Sequence, residues 1–268
     1  MNRSAIPVQR GDRRTPRVDF ATAAWEPNEF GVEVLQLSQD AVSGAVTLAL
    51  RTPADLQYPE REHFYDCDQD LFQFEGEFHH DEERPFVEGD YVYRPPGTVY
   101  GRTPGSSGGI IIASLNNQPR RHHFDDHPPW TGEYLVDERW HTREVQPMLV
   151  SSGQRPWQDA GLGNGIEMRP LRGEPGKRNE HCGARPHSPW GADAALMLKI
   201  PRGYRGPTPA WTDCELEVLV TGGIARIDHE DWYRGCYTFG ALAGTCDVQE
   251  DLECYVRVFL PADTALSR

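Results

Sequence analysis

The sequence contains no long hydrophobic stretch. None of its apolar runs approaches the ~18 residues that a membrane-spanning helix needs. The first 20 residues also lack the apolar centre of a secretory signal peptide. We therefore expect a cytoplasmic protein that makes no contact with a membrane.

Positive charge is scarce as well. The chain has 27 Lys and Arg against 41 Asp and Glu, which gives a net charge of −14. Proteins that bind nucleic acid present a basic surface to the phosphates. The sequence therefore argues against a nucleic-acid partner and favours a well-solvated protein that acts on small molecules.

Paired cysteines are missing. The chain has six cysteines, and no two of them form a Cys-x-x-Cys motif. Most lie in apolar segments, where a thiol behaves as a small hydrophobic side chain. We interpret them as free thiols of the core, with disulfides or a zinc site as the alternatives.

Helical periodicity is weak throughout. Short apolar runs such as Val32–Leu37, Val46–Leu50 and Tyr255–Leu260 are separated by clusters that draw on 26 glycines and 22 prolines. Strands of this length, so regularly interrupted, are typical of β-sandwiches and β-barrels. The sequence therefore predicts an all-β protein.

The second half of the chain repeats the first. Trp25 precedes the segment Gly-Val-Glu-Val as Trp157 precedes Gly-Ile-Glu-Met, and Gly76 and Gly89 are spaced like Gly222 and Gly235. A duplicated unit predicts two domains. We assign residues 1–20 to an N-terminal arm, 21–125 to a first barrel, 126–146 to a linker and 147–268 to a second barrel.

The segment Leu71–Gly101 resembles the cupin superfamily. Its Gly89-x5-Pro95-Pro-Gly-x2-Tyr matches the second cupin motif except that tyrosine replaces the final histidine. The sequence from Tyr93 to Val99 is similar to that of bicupins of the anti-sigma-factor ChrR type. The resemblance implies two tandem jelly-roll β-barrels, and cupins of this kind are often homodimers.

The resemblance also marks the positions at which metal-binding cupins carry three histidines and a carboxylate. In the first barrel these positions hold His63, Tyr65, Gln69 (or Asp70, if the strand is bulged) and Tyr100. One imidazole and at most one carboxylate make a poor divalent site. We predict no cofactor; if a metal (Fe, Zn, Mn or Ni) is bound, His63 and Asp70 are its expected ligands.

The second barrel departs further from the family pattern. Glu215 falls at the glutamate position, while the histidine positions hold Pro209, Trp211 and Cys246. We predict that this barrel is structural. A Glu215–Cys246 acid and nucleophile pair is the alternative.

Several other histidines could carry a function. His122 and His123 lie near two aspartates in what reads as a surface linker, with a metal cluster as the alternative. His181 and His187 lie in a long loop, residues 172–191, that could cover a barrel mouth and supply ligands.

The protic groups of the first barrel suit acid–base chemistry. We predict that His63, Tyr65, Tyr100 and Gln69 are catalytic, with Gln69 or Asp70 setting the tautomer of His63. Asp70, Tyr93, Arg94 and Arg102 would bind the substrate. The expected function is metal-independent isomerisation, cyclisation, dehydration or lyase-type cleavage of a small metabolite. The alternatives are a non-haem metal-dependent dioxygenase with an atypical ligand set and a non-catalytic binding or sensor protein.

Overall fold

The chain folds into two compact units built from antiparallel strands. The computed structural model describes residues 8–9, 17–41, 43–56, 62–80, 84–101, 104–123, 148–173, 175, 194–209, 214–240 and 244–259. The described residues of 25–151 form the first barrel, and those of 152–175 and 194–259 form the second together with residues 17–24. This architecture confirms the predicted all-β class with two tandem jelly-roll barrels.

Two short strands, β1 (Val8–Gln9) and β2 (Val18–Asp19), precede the first barrel. The strands of the first barrel follow in chain order as β3 (Glu26–Pro27), β4 (Glu33–Gln39), β5 (Val46–Thr52), β6 (His63–Tyr65), β7 (Gln69–His80), β8 (Phe86–Val87), β9 (Asp90–Arg94), β10 (Pro104–Leu115), β11 (Arg121–His123) and β12 (Met148–Ser151). Strands β4, β5, β10, β7, β9 and β12 are neighbours in that order, and β11 pairs with β6 in a separate two-stranded sheet.

The second barrel opens with a 3-10 turn at Ser152–Gln154. Its strands are β13 (Gln158–Asp159), β14 (Glu167–Arg172), β15 (Ala194–Ile200), β16 (Arg205–Pro207), β17 (Glu215–Gly222), β18 (Ile224–Ile227), β19 (Glu230–Tyr233), β20 (Cys236–Gly240), β21 (Thr245–Val248) and β22 (Leu252–Phe259). One sheet has the order β13, β14, β15, β22, β17, β20, β2, and the other has the order β16, β21, β18, β19.

Strand β2 lies in the segment that we assigned to an N-terminal arm. Val18 pairs with Tyr237 and Asp19 with Cys236, so β2 extends the sheet of the second barrel. The Tyr233 hydroxyl donates a hydrogen bond to the Asp19 carboxylate. Residues 18–19 are therefore an edge strand of that barrel, whereas the predicted linker, 126–146, lies outside the described residues.

The internal repeat is shifted by one residue from the predicted alignment. Gly76 has a φ of +73°, and a Cβ added there would lie 1.9 Å from the Gly108 carbonyl oxygen. Gly223 has a φ of +78° and would meet the Asp251 oxygen at 2.0 Å, whereas Gly222 faces open space. The partner of Gly76 is thus Gly223, and our alignment with Gly222 was wrong.

The thiols are part of the fold. Among the described residues Cys67, Cys214, Cys236, Cys246 and Cys254 are all free, and only Cys214 is not fully buried. This confirms the predicted free thiols at those positions, and Cys182 lies outside the described residues. Within the described part of the chain, we find no helix long and apolar enough to cross a membrane.

Candidate functional site

A cavity of about 200 Å³ lies inside the first barrel. Its apolar wall includes Val32, Leu50, Leu71, Phe78, Phe86 and Ile111. Its polar groups include His63, Tyr65, Gln69, Arg94, Tyr100 and Arg121. The structure thus brings together all four predicted catalytic residues and one of the predicted substrate-binding residues, Arg94.

Strand alternation decides which predicted residues reach the cavity. Successive side chains of a strand point to opposite faces. On β9, Arg94 shares the inner face with Val92, and it pairs across the sheet with Gln69 of β7. The outer face carries Asp70 and Tyr93, which pair with each other.

Asp70 and Tyr93 therefore do not line the cavity. The buried Asp70 carboxylate accepts a hydrogen bond from the Tyr91 hydroxyl. The Tyr93 hydroxyl donates to the Asp68 carboxylate over 2.7 Å. This placement removes the structural basis for Asp70 as a metal ligand beside His63, and for either residue as a direct substrate contact. Arg102 lies outside the described residues.

Four side chains form a continuous row from the mouth to the interior. Arg121 is exposed, and its Nη2 lies 3.2 Å from His63 Nδ1. The rings of His63 and Tyr100 are 4.4 Å apart between centroids. The Arg94 guanidinium lies 3.8 Å from the centre of the Tyr100 ring and is only 1% exposed.

Backbone pairing holds the centre of this row in place. The His63 N–H donates to the Tyr100 carbonyl and the Tyr100 N–H to the His63 carbonyl, both over 2.9 Å. This reciprocal pair fixes the two side chains against each other. The site therefore needs little rearrangement to present both groups to a ligand.

The Tyr100 hydroxyl is held in its neutral form. Burial raises the pKa of Tyr100, while Arg94, a hydrogen bond from Gln69 and Arg121 act in the opposite direction with smaller effects. A tyrosine that stays protonated is a hydrogen-bond donor to a developing or permanent negative charge. Gln69 thus contacts Tyr100, which places it beside the proposed reacting groups.

Arg121 is the site residue that sequence reasoning missed. It lies on β11, directly opposite Tyr65 of β6, and His123 lies opposite His63. A guanidinium carries only donors, so Nδ1 of His63 must accept and the ring proton lies on Nε2. We predicted that Gln69 or Asp70 sets this tautomer. Asp70 faces away from the cavity, so that part of the prediction was wrong, and the contact at Nδ1 comes from Arg121.

The interpretation of His122 and His123 as a surface linker was also wrong. His122 is buried, stacks on Phe64 at 5.1 Å between ring centroids, and lies 3.8 Å from the Asp66 carboxylate. The alternation of Arg121 and His123 on one face with His122 on the other was the signal for a strand. No group of three potential metal ligands occurs among the residues that the structure describes.

The donor set of the first cavity does not fit a divalent cation. His63 is the one imidazole among the described lining residues, and the remaining polar groups are phenols, an amide and a hydroxyl, with the two guanidinium groups of Arg94 and Arg121. Two positive charges at the cavity oppose a metal ion, which prefers several neutral imidazoles and carboxylates. The described residues therefore suit an anion better than a cation.

The second barrel differs from the first in the size of its described cavity. Its corresponding cavity measures only about 20 Å³, and Leu216 stands on its wall as Gln69 does in the first barrel. Because the repeat is shifted by one residue, Leu216 rather than Glu215 occupies the motif position. Pro209 lines the small cavity, and Trp211 lies outside the described residues.

Cys246 cannot readily act as a nucleophile in this setting. Its side chain is buried in the apolar core of the second barrel, and burial raises the pKa of its thiol to about 11. A thiol with that pKa stays protonated and unreactive at neutral pH. The alternative of a Glu215–Cys246 pair is therefore not supported by the described residues.

We expect the buried thiols to make the protein unstable in alkali. Burial also raises the pKa of Cys254, and Cys246 adds to the effect. Both thiols ionise at lower pH in the unfolded chain than in the folded one, so their stabilising contribution is present below about pH 9 and is lost as the pH rises from there towards 11. The measurement is the free energy of unfolding at pH 7, 9, 10 and 11.

The variant Cys254→Ala tests the origin of this pH dependence. It should show a shallower fall in the free energy of unfolding above pH 9 than the wild type. Cys214→Ala is the control, because that residue is only half-buried. An unchanged slope in Cys254→Ala would contradict the assignment.

The long loop of residues 172–191 contributes almost nothing to the described structure. Apart from residues 172, 173 and 175, it lies outside the described residues, as do His181, Cys182 and His187. Its predicted role as a cover for a barrel mouth stays a prediction.

The family and structural comparisons agree with this fold. Residues 14–118 match the family model of the ChrR cupin-like domain. No protein of curated function matches the sequence at a significant level. The family match covers β3 to β10 of the first barrel and every described cavity residue except Pro119 and Arg121, which follow residue 118.

Solved structures extend the likeness to both barrels. A structure described as a proposed dioxygenase from Nostoc punctiforme is 16% identical, with 99% of this chain and 89% of that one covered and a TM-score of 0.68. Quercetin 2,3-dioxygenase from Acinetobacter baumannii is 12% identical, with coverages of 92% and 86% and a TM-score of 0.51.

An oxalate decarboxylase variant from Bacillus subtilis is 11% identical, with coverages of 91% and 77% and a TM-score of 0.53. Similarity at this level of identity shows that the folds are alike and gives no information about the reaction. Residues 14–118 thus resemble a ChrR cupin-like domain, and the two barrels share their fold with these solved structures.

Proposed function

We propose that the first barrel binds a small metabolite and transforms it by acid–base chemistry that requires no metal. The observation that carries this proposal is the joint placement of His63, Tyr65, Tyr100 and Gln69 around one open cavity. The cavity described in the second barrel measures only about 20 Å³, which supports placing the proposed activity in the first barrel.

The protonation state of each residue determines the role that we propose for it. With Nδ1 engaged by Arg121, His63 would exchange a proton with a ligand through Nε2, and in this arrangement it is a donor. Tyr100, whose pKa is raised by burial, would donate to an oxygen that gains negative charge. Tyr65 stands 5.9 Å from His63 between ring centroids and would orient the ligand from the other side.

Isomerisation, cyclisation, dehydration and lyase-type cleavage all fit this set of donors. When such a reaction proceeds through an enolate or an alkoxide, a substrate oxygen carries additional negative charge. Donors that are already in place stabilise such a state without a metal ion. The cytoplasm as location and a homodimer as assembly remain part of this proposal.

The proposed function is tested on protein purified without chelators. Elemental analysis should find no stoichiometric transition metal in the wild type, and His63→Ala should leave that result unchanged. A panel of small metabolites in D₂O, followed by proton NMR with EDTA present, should reveal conversion or proton exchange. His63→Ala should slow that reaction about 10²- to 10⁴-fold, the usual contribution of a positioned acid or base.

Two results would count against the proposal. One is a reaction that needs added Fe, Zn, Mn or Ni, which would favour the dioxygenase alternative. The other is full turnover in His63→Ala. His229→Asn is the control, because His229 is an exposed residue of the second barrel and asparagine tolerates its left-handed φ.

A ligand-binding or sensor role is the second candidate. It rests on the match of residues 14–118 to the ChrR cupin-like domain. In that case the same cavity would bind a metabolite without changing it. Tight binding of a compound that stays intact over long incubation with the wild type would favour this candidate.

A further inference from the structure

We propose that the ligand of the first cavity is a small monocarboxylate with an apolar ring or short-chain body, whose carboxylate binds along the row of donors that begins at Arg121 and ends at Arg94. This inference rests on the proposed function for the location of the site. It does not depend on whether the ligand is transformed.

The charge of the cavity supports an anionic ligand. Two arginines line it, and none of the lining residues that the structure describes is acidic, although the protein as a whole has a net charge of −14. Burial of a guanidinium is costly unless opposite charge or hydrogen bonds compensate. Stacking of Arg94 over the Tyr100 ring offsets part of that cost, and a bound carboxylate would offset more.

The arrangement of donors supports a carboxylate at this end of the cavity. Arg121 is exposed at the mouth, Arg94 is buried inside, and His63 and Tyr100 lie between them. Gln69 pairs with Arg94 across the sheet. Guanidinium groups carry donors only, and their fork matches the two oxygens of a carboxylate.

The remaining wall supports an apolar body of limited size. Val32, Leu71, Phe78, Phe86, Ile111 and Ala113 belong to one buried apolar cluster and line the cavity. Its volume of about 200 Å³ is below the range of drug-sized sites. An apolar cavity of ~150 Å³ is large enough for benzene. Benzoate, phenylacetate and hexanoate are therefore ligands of suitable size.

Isothermal titration of the full-length protein with these compounds tests the inference. Benzoate, phenylacetate or hexanoate should bind the wild type, and the matched neutral compounds benzamide and benzyl alcohol should bind at least tenfold more weakly. Acetate, which lacks the apolar body, should also bind at least tenfold more weakly. The variants Arg94→Met and Arg121→Met should each weaken carboxylate binding at least tenfold.

Arg120→Met provides the matched control, because Arg120 is exposed, adjoins Arg121 and does not line the cavity. It should leave the affinity within twofold of the wild type. If Arg94→Met fails to fold, Arg94→Lys takes its place in the test, because lysine keeps the positive charge. Arg94→Lys should retain more carboxylate binding than Arg121→Met.

Three outcomes would overturn the inference: no binding of any carboxylate at 10 mM (on the order of the weakest affinities of interest), equal binding of benzamide and benzoate, or unchanged benzoate affinity in both arginine variants. Carboxylate binding that persists in His63→Ala, with no reaction detected in the wild type, supports the inference. That result would count only against the proposed acid–base function.

Discussion

Replacement of Glu217 by leucine is expected to lower the free energy of unfolding by about 3–5 kcal/mol, the usual effect of removing one partner of a buried ion pair. Glu217 is 2% exposed and Arg257 is fully buried. The Arg257 Nη1 lies 2.6 Å from Glu217 Oε2, and the Tyr237 hydroxyl donates to the other carboxylate oxygen. Leucine removes the carboxylate and leaves the guanidinium in the buried sheet.

A double-mutant cycle separates this loss from general packing effects. The double variant Glu217→Leu, Arg257→Met should be more stable than Glu217→Leu alone, because the uncompensated charge is removed with its partner. Urea-induced unfolding followed by circular dichroism provides the free energies. Equal stability of Glu217→Leu and wild type, or additive losses in the double variant, would refute the expectation.

Replacement of Gly76 by alanine is expected to destabilise the first barrel by about 2–5 kcal/mol. A left-handed φ costs a residue with a side chain about 1–2 kcal/mol. The added Cβ would also lie 1.9 Å from the Gly108 carbonyl oxygen, so the pairing of β7 with β10 must shift, at a further cost of about 1–3 kcal/mol. Gly223→Ala should have a similar effect on the second barrel.

Gly31→Ala separates the two contributions. Gly31 has nearly the same φ, +77°, but a Cβ there meets nothing within 4 Å. This variant should therefore lose only the about 1–2 kcal/mol that the backbone conformation costs. If Gly31→Ala and Gly76→Ala were equally unstable in urea, the close approach to Gly108 would not be responsible.

Local signals in the sequence were sufficient for the architecture. The matching segments around Trp25 and Trp157 predicted two similar barrels, and the regular interruption of short apolar runs predicted strands. The positions of His63, Tyr65, Gln69 and Tyr100 followed from their distances to the motif glycines. These features are short-range, because a glycine turn and an alternating strand are specified by neighbouring residues.

The sequence was less informative about which side chains face a cavity, because a shift of one residue in strand register changes the answer. If the register of a strand is assigned one residue too early or too late, every side chain is placed on the wrong face of the sheet. The shift from Gly222 to Gly223 therefore moves Leu216, rather than Glu215, to the wall of the second cavity. Because side chains alternate along a strand, Asp70 and Tyr93 point away from the first cavity, although each is adjacent in sequence to a residue that lines it.

By itself the sequence determined the all-β class of fold and the duplication, and the resemblance to the cupin motif pointed to His63. Only the tertiary structure decided that Arg121, 58 residues further along the chain, lies against His63 Nδ1, and that Arg94 stacks on Tyr100. It also decided that the described cavity of the first barrel measures about 200 Å³ and that of the second about 20 Å³. Long-range strand pairing and side-chain volume set these features, and neither can be read from the spacing of residues along one segment.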